Sequence, residues 1–228
     1  MSRASLSHVS DWIFDLDNTL YPRGYNLFAQ IDVLITRYVM DVTGLPHDEA
    51  RTLQKSYYQR YGTTLRGLME SHGIDPDHYL STVHAIDYSC VLAHPALTAA
   101  IAALPGRKFI FTNADLGHAD NVLVKLGGAD LFDGKFDIRA AQFVPKPARS
   151  AYELFVAAFD VDPARAVMFD DIEKNLLVPH EMGMATVHVV PDGSYEPVDR
   201  DHWELARADG YPHIHHVTDN LAGFLGAV

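Results

Sequence analysis

Short apolar runs alternate along this chain with stretches whose apolar residues recur at helical spacing, the pattern of a parallel sheet flanked by helices. Trp12-Ile13-Phe14, Lys108–Phe111, Ala166–Phe169 and Ala185–Val190 read as buried strands, with Phe136–Arg139 a fifth candidate. The first run ends at the polar cluster Asp15–Thr19, the second at Thr112-Asn113 and the third at Asp170-Asp171. Open α/β sheets bind ligands beyond the carboxyl ends of their strands, so these three clusters are expected to share one crevice.

Between the first two strands the pattern changes. Leu27, Ile31, Leu34, Ile35, Tyr38 and Val42 keep helical spacing, and Gly44 stands where a helix-ending glycine belongs. A second helix is predicted over His47–Tyr61, ended by Gly62, and a third with Thr64 as its N-cap, ended by Gly73. Asp75-Pro76 supplies the cap and first residue of a fourth. These helices predict an all-helical subdomain, residues 22–91, inserted into a core formed by 1–21 and 92–228. Beyond it, helices are predicted at Pro95–Leu104, Asp115–Leu126, Ala148–Phe159 and Ile172–Met182, with Pro179 kinking or interrupting the last. The tail from Pro191 is expected to be loop-rich, with a short strand near Ile214 and a closing helix from Asn220.

Composition narrows the function classes. The chain has 228 residues, 48% hydrophobic and 21% charged, which suits an ordinary globular core. Its net charge of −12 would repel a polyphosphate backbone and an anionic bilayer, so neither duplex nucleic acid nor a membrane is the expected partner. Cys90, the one cysteine, allows no internal disulfide, and Met1–Trp12 lacks the apolar block of a signal peptide. A cytoplasmic location is the resulting expectation.

Asp15 and Asp17 stand two apart at a strand end, so both carboxylates can face one site, where they repel unless a cation or a proton intervenes. The competing reading is a solvated turn. Thr112 and Asn113 can offer a hydroxyl and a backbone N–H to an anion, or they simply cap the next helix. Lys146, between Pro145 and Pro147, is either a cation fixed beside the carboxylates or a surface lysine. Asp170-Asp171 offers the hard oxygen ligands that Mg²⁺ requires, or a pair of acids at a helix N-terminus. His213, His215 and His216 lack an acidic or cysteine partner in sequence and are expected to be exposed.

In order, FDLDNTLYP, FTNA, VPKP and MFDDIEKNL resemble the four motifs of the haloacid dehalogenase superfamily, and the likeness runs from about Trp12 to Val190. LDNTLYP, YGTTLRGLM and FTNADLGHA resemble the pyrimidine 5′-nucleotidase branch. The resemblance implies a Rossmann-like three-layer parallel core with an inserted helical, C1-type cap. It implies a Mg²⁺-dependent phosphomonoester hydrolase acting on a small-molecule phosphate ester, a (pyrimidine) nucleoside 5′-monophosphate by the branch. Alternatives are a sugar phosphate, phosphoglycolate or pyridoxal phosphate, or a non-catalytic binding module on the same fold.

In that scheme Asp15 attacks phosphorus and Asp17 protonates the leaving oxygen, then activates water. Thr112, Asn113 and Lys146 hold the phosphoryl group. Asp15, the Asp17 carbonyl and Asp171 ligate the metal, assisted by Asp170, and Asn175 orients the loop. Tyr21, Arg23, Tyr25, Arg66 and Tyr88 are candidates for meeting the leaving group. Haloacid dehalogenases lack the second acid because a halide leaves without a proton, so Asp17 favours ester hydrolysis. Phosphonate cleavage would need a cap lysine, for which Lys55 is the sole candidate.

Overall fold

Six strands, all parallel, lie in the order β3-β2-β1-β4-β5-β6 at the centre of the computed structural model, which describes residues 6–191, 193 and 210–228. They are β1 (Asp11–Phe14), β2 (Arg107–Phe111), β3 (Gly134–Phe136), β4 (Ala166–Asp170), β5 (Ala185–Val189) and β6 (His216–Thr218). Strand β1 pairs with β2 through Ile13↔Phe109 and with β4 through Ile13↔Met168. Flanked on both sides, β1 is buried along its whole length, which suits the apolar run Trp12–Phe14, while Asp11 at its start pairs with Arg107.

Alternating side chains divide the core into two layers. Trp12, Phe14, Ile110, Val167 and Phe169 face α5 (Pro95–Ala103), α6 (Leu116–Leu126) and α9 (Leu221–Leu225). Ile13, Phe109, Phe111, Met168 and Phe136 face α7 (Arg149–Phe159) and α8 (Leu177–Met182). The result is a three-layer, Rossmann-like α/β fold, as expected.

Between β1 and β2 run α1 (Leu27–Thr43), α2 (His47–Tyr61), α3 (Thr64–His72) and α4 (Pro76–Val83). They enclose an apolar core of their own that includes Ile31, Val39, Leu65, Leu68 and Leu80. Gly44, Gly62 and Gly73 end the first three with positive φ, and Asp75 caps α4 through a bond from Asp77 N. Ile138, from the loop after β3, also packs into this helical core.

Several local expectations need correction. Strand β3 ends at Phe136 rather than running to Arg139, because the Asp137 carboxylate turns to accept the N–H groups of Ala140 and Leu116. Thr63, not Thr64, caps α3, its hydroxyl accepting from Arg66 N. The segment predicted as one helix over Ile172–Met182 begins as a 3-10 turn, Glu173–Leu176, and becomes α-helical only at Leu177. Pro179 therefore falls in the first turn of α8, where a missing N–H costs no hydrogen bond. The last strand starts at His216, two residues beyond Ile214, and the closing helix is capped by Asn220 as expected. Within the tail, residues 192 and 194–209 lie outside the described residues.

Candidate active site

From β1 the chain passes to β2 and β3 on one side of the sheet and then to β4, β5 and β6 on the other. Such a reversal opens a crevice above the strand ends, here between β1 and β4. Asp15, whose N–H donates to the Phe169 carbonyl, continues β1 into it. Thr112, whose N–H donates to the Phe136 carbonyl, continues β2, and Asp170 ends β4. The crevice deepens into a cleft of about 400 Å³, whose helical wall carries Phe28, Ile31, Ile35, Tyr58, Leu80 and Val83.

Lys146 reaches this point from the loop after β3 and is 1% exposed. Its ammonium donates to Asp15 Oδ1 at 2.8 Å, Asp170 Oδ2 at 2.7 Å and the Phe111 carbonyl at 2.9 Å. Asn113 fixes that loop: its Oδ1 accepts from Lys146 N at 2.8 Å and its Nδ2 donates to the Lys146 carbonyl at 3.2 Å. The Asn113 side chain thus positions Lys146, and Asn113, whose backbone N–H is the group expected to meet an anion, lines the cleft. Thr19 donates its hydroxyl to Asp15 Oδ2 at 3.1 Å. The Thr112 hydroxyl oxygen accepts from Ala114 N, which leaves its hydrogen for another acceptor.

Asp15, Asp170 and Asp171 each offer a carboxylate oxygen within 4.8 Å of the others. This buried, all-oxygen set suits a hard dication such as Mg²⁺. Asp17 contributes no carboxylate to it. Asp170 is fully buried, with Oδ2 on Lys146 and Oδ1 accepting from Ile172 N and Asn175 Nδ2. Asn175 therefore orients the loop, as expected. Asp171 Oδ2 accepts from the Arg23 guanidinium at 2.8 Å.

The electrostatics follow from crowding acids in a dry place. Burial raises the Asp15 carboxyl well above its ordinary value, Asp170, Asp171 and Asp17 add to the rise, and Lys146 opposes it. Burial also pushes Asp171 up to about 7 against the pull of Arg23. For Lys146 burial works against the charge, yet Asp15 and Asp170 outweigh it and hold the ammonium above the ordinary lysine value. Asp17 departs the other way. Burial would raise it, but His118 and the Tyr21 hydroxyl outweigh burial and hold it below the ordinary carboxylate value.

Tyr21 and Arg66 do not lie where a leaving group would sit. Tyr21 is 2% exposed, its ring parallel to Tyr25, and its hydroxyl donates to Asp17 Oδ1 at 2.6 Å. Arg66 pairs with Glu70 one turn along α3 and does not line the cleft. The tail histidines are more buried than expected. His213 pairs with Glu173 beside the acidic cluster and His216 is buried, while the exposed His215 ring lies 3.0 Å from His180. The sequence reading assigned no part to His118 or His188. His118 lies in FTNADLGHA, three residues beyond the cap Asp115, the spacing that turns it inward. His188 approaches the Asp171 carbonyl at 3.1 Å from the end of β5.

This fold and site belong to a known class. The family model of haloacid dehalogenase-like hydrolases matches residues 13–183, and the chain is a member of that family. Among curated proteins, phosphate metabolism protein 8 of Saccharomyces cerevisiae is 30% identical over 213 residues, covering 84% of this chain. The chain spans 66% of that relative's length. Among solved structures, a phosphatase of the family from Thermococcus onnurineus superimposes with a TM-score of 0.60 at 16% identity, covering 96% of this chain and 97% of that one. The L-2-haloacid dehalogenase of Xanthobacter autotrophicus, with chloropropionic acid covalently bound, gives 0.54 at 15% identity over 96% and 97%. These two likenesses are of fold. Membership of the hydrolase family rests on the family model. No helix among the described residues is long and apolar enough to cross a membrane.

Proposed function

We propose that the protein is a Mg²⁺-dependent phosphomonoesterase that works through a phosphoaspartyl intermediate on Asp15, preferring nucleoside 5′-monophosphates. The observation that carries this reading is the buried contact of Lys146 with both Asp15 and Asp170, beside the oxygen cluster that includes Asp171. Folds of this family host more than one chemistry, and the residues of the site decide between them.

Asp15, steadied by Lys146 and Thr19, is the nucleophile: its carboxylate oxygen forms the bond to phosphorus as the bond to the leaving oxygen breaks. The electron pair stays on the leaving oxygen, which takes a proton from Asp17. In the free site Asp17 is held as a carboxylate by His118 and Tyr21; the arriving phosphate dianion raises its proton affinity, and Asp17 takes that proton from solvent before giving it to the leaving oxygen. In the second half Asp17 is again a carboxylate and removes a proton from the attacking water. Lys146 offsets charge on Asp15 and the phosphoryl oxygens, to which the Thr112 hydroxyl also donates. Bound by Asp15, Asp171 and the Asp17 carbonyl, Mg²⁺ would neutralise charge on the phosphoryl group.

Residues 22–91 act as a cap whose apolar wall, with Phe28 and Tyr58, accepts a ring-bearing leaving group. Lys55 lines the cleft with its ammonium 3.3 Å from Asp32, which suits a charged partner to polar substituents rather than an amine nucleophile. Phosphate release from UMP, CMP, AMP and several sugar phosphates, with Mg²⁺ and with EDTA, tests the reading. Metal-dependent release led by the pyrimidine nucleotides is expected, and Asp15→Asn should abolish it. Release that survives Asp15→Asn would sink the phosphoaspartyl mechanism, and release confined to the sugar phosphates would discard the nucleotide preference.

A further inference from the structure

Asp17 is fixed by two donors that both fall on the same oxygen. His118 Nε2 lies 2.7 Å from Asp17 Oδ1, and the Tyr21 hydroxyl donates to that oxygen at 2.6 Å. The other oxygen, Oδ2, is engaged by neither, and Asp17 lines the cleft. The His118 ring is fully buried and held on every side. Its backbone N–H donates to Asp115 Oδ1 at 2.8 Å, its Nδ1 meets the Tyr88 hydroxyl at 3.1 Å, and its face stacks on His84 at 4.6 Å between centroids. A buried polar ring is stable only with its nitrogens satisfied, and here the satisfaction of Nε2 falls to an acid facing the substrate.

We infer that His118 is a positioning residue for the reaction: it pins Asp17 through Oδ1, so that Oδ2 is the oxygen presented to the leaving group and later to water. This rests on the reading of Asp17 as the group that gives and takes the proton. The rate gain comes from orientation settled before substrate arrives. A carboxylate free to rotate would spend part of its time turned away, and small misplacements of a reacting group are costly. Proton delivery matters only when the departing oxygen needs it. An alcohol leaves as a strong base unless protonated, whereas p-nitrophenolate leaves without a proton.

The variants follow from that contrast. His118→Asn keeps an amide near Nδ1 for Tyr88 but stops short of Asp17, while His118→Gln places an N–H near the Nε2 position. Single-turnover release with Mg²⁺ is to be compared for p-nitrophenyl phosphate and for the best alkyl phosphate of the panel. His118→Asn should slow alkyl release by about 10²-fold, the lower end of what proton transfer supplies, with p-nitrophenolate release and KM nearly unchanged. His118→Gln should recover most of the loss, and Asp17→Asn should show the same leaving-group dependence more strongly. Equal losses on both substrates in His118→Asn, with Asp17→Asn still discriminating, would overturn the positioning role alone. Equal losses in Asp17→Asn as well would overturn it together with the proton-transfer reading beneath it.

Discussion

Lys146 carries more of the site than any other single side chain. Its ammonium is buried between two carboxylates and a carbonyl, and Asp15 and Asp170 depend on it for compensation. Removing one partner of a buried charge pair strands the other, at about 3–5 kcal/mol. Lys146→Met, similar in length, is therefore expected to lower unfolding stability by about that much in a urea titration, and to abolish turnover. A loss below about 1 kcal/mol, the range of exposed pairs, would show that Asp15 and Asp170 are compensated elsewhere. At this scale the sequence was informative where chemistry follows the end of a strand. Asp15, Thr112 and Asp170 each terminate an apolar run, so their convergence could be anticipated. The direction of a side chain off a loop or helix is not written in such a run. Tyr21 turned back to Asp17 and Arg66 along its own helix, and the part of His118 depends on how α6 docks against the β1 loop.

At the scale of elements, caps and glycines punctuated the helices well because their geometry is local: Gly44, Gly62 and Gly73 stop helices by adopting positive φ. The short edge strands were less legible because tertiary contacts set their limits. β3 begins at Gly134, where a Cβ would lie 2.4 Å from the Phe159 ring, a contact no neighbouring sequence announces. Beside β6, His215 carries a pH dependence of its own. Partial desolvation of the largely exposed His215 lowers its pKa, and His180, His216 and His213 lower it further. The folded state therefore binds fewer protons here than the unfolded state as pH falls through the ordinary histidine value. By linkage, stability present above that value is lost on acidification. Thermal unfolding between pH 7.5 and 5.5 should fall less steeply for His215→Gln than for the parent chain. Parallel curves would remove His215 from the acid response.

For the whole molecule, the two halves of the cleft touch at several places. Lys174 lies over the Tyr58 ring at 4.7 Å, Arg139 pairs with Asp77 at 2.8 Å, and Gly62, at the end of α2, lies so near Pro145 that a Cβ would approach it to 2.9 Å. The acids Asp15, Asp17, Asp170 and Asp171 outnumber the cations Lys146 and Arg23, so a divalent ion should stabilise the fold as a whole. At a hundredfold excess over its dissociation constant, Mg²⁺ is expected to add about 2.7 kcal/mol, measured as a rise in Tm. Asp171→Asn should remove most of that rise. A Tm indifferent to Mg²⁺ in the parent chain would count against a resident dication. The three-layer core was legible from the alternation of strands and helices, and the helical insertion from a switch of period. How the two parts meet was not, since Gly62 and Pro145 each read locally as ordinary turn residues.

The sheet order also sets a timetable. β1 is made before both of its neighbours in the sheet, β2 and β4, and the four helices α1–α4 are made before either neighbour exists. Asp15 emerges 131 residues ahead of Lys146, a wait on the order of 10 s at ordinary rates of synthesis. Until β4 follows, the central strand has an open edge, and until Lys146 follows, Asp15 lacks that counter-ion. Asp15, Lys146 and Asp170 thus meet only once β4 has been made, and a chain that stops short of it holds Asp15 without the partners of the folded site.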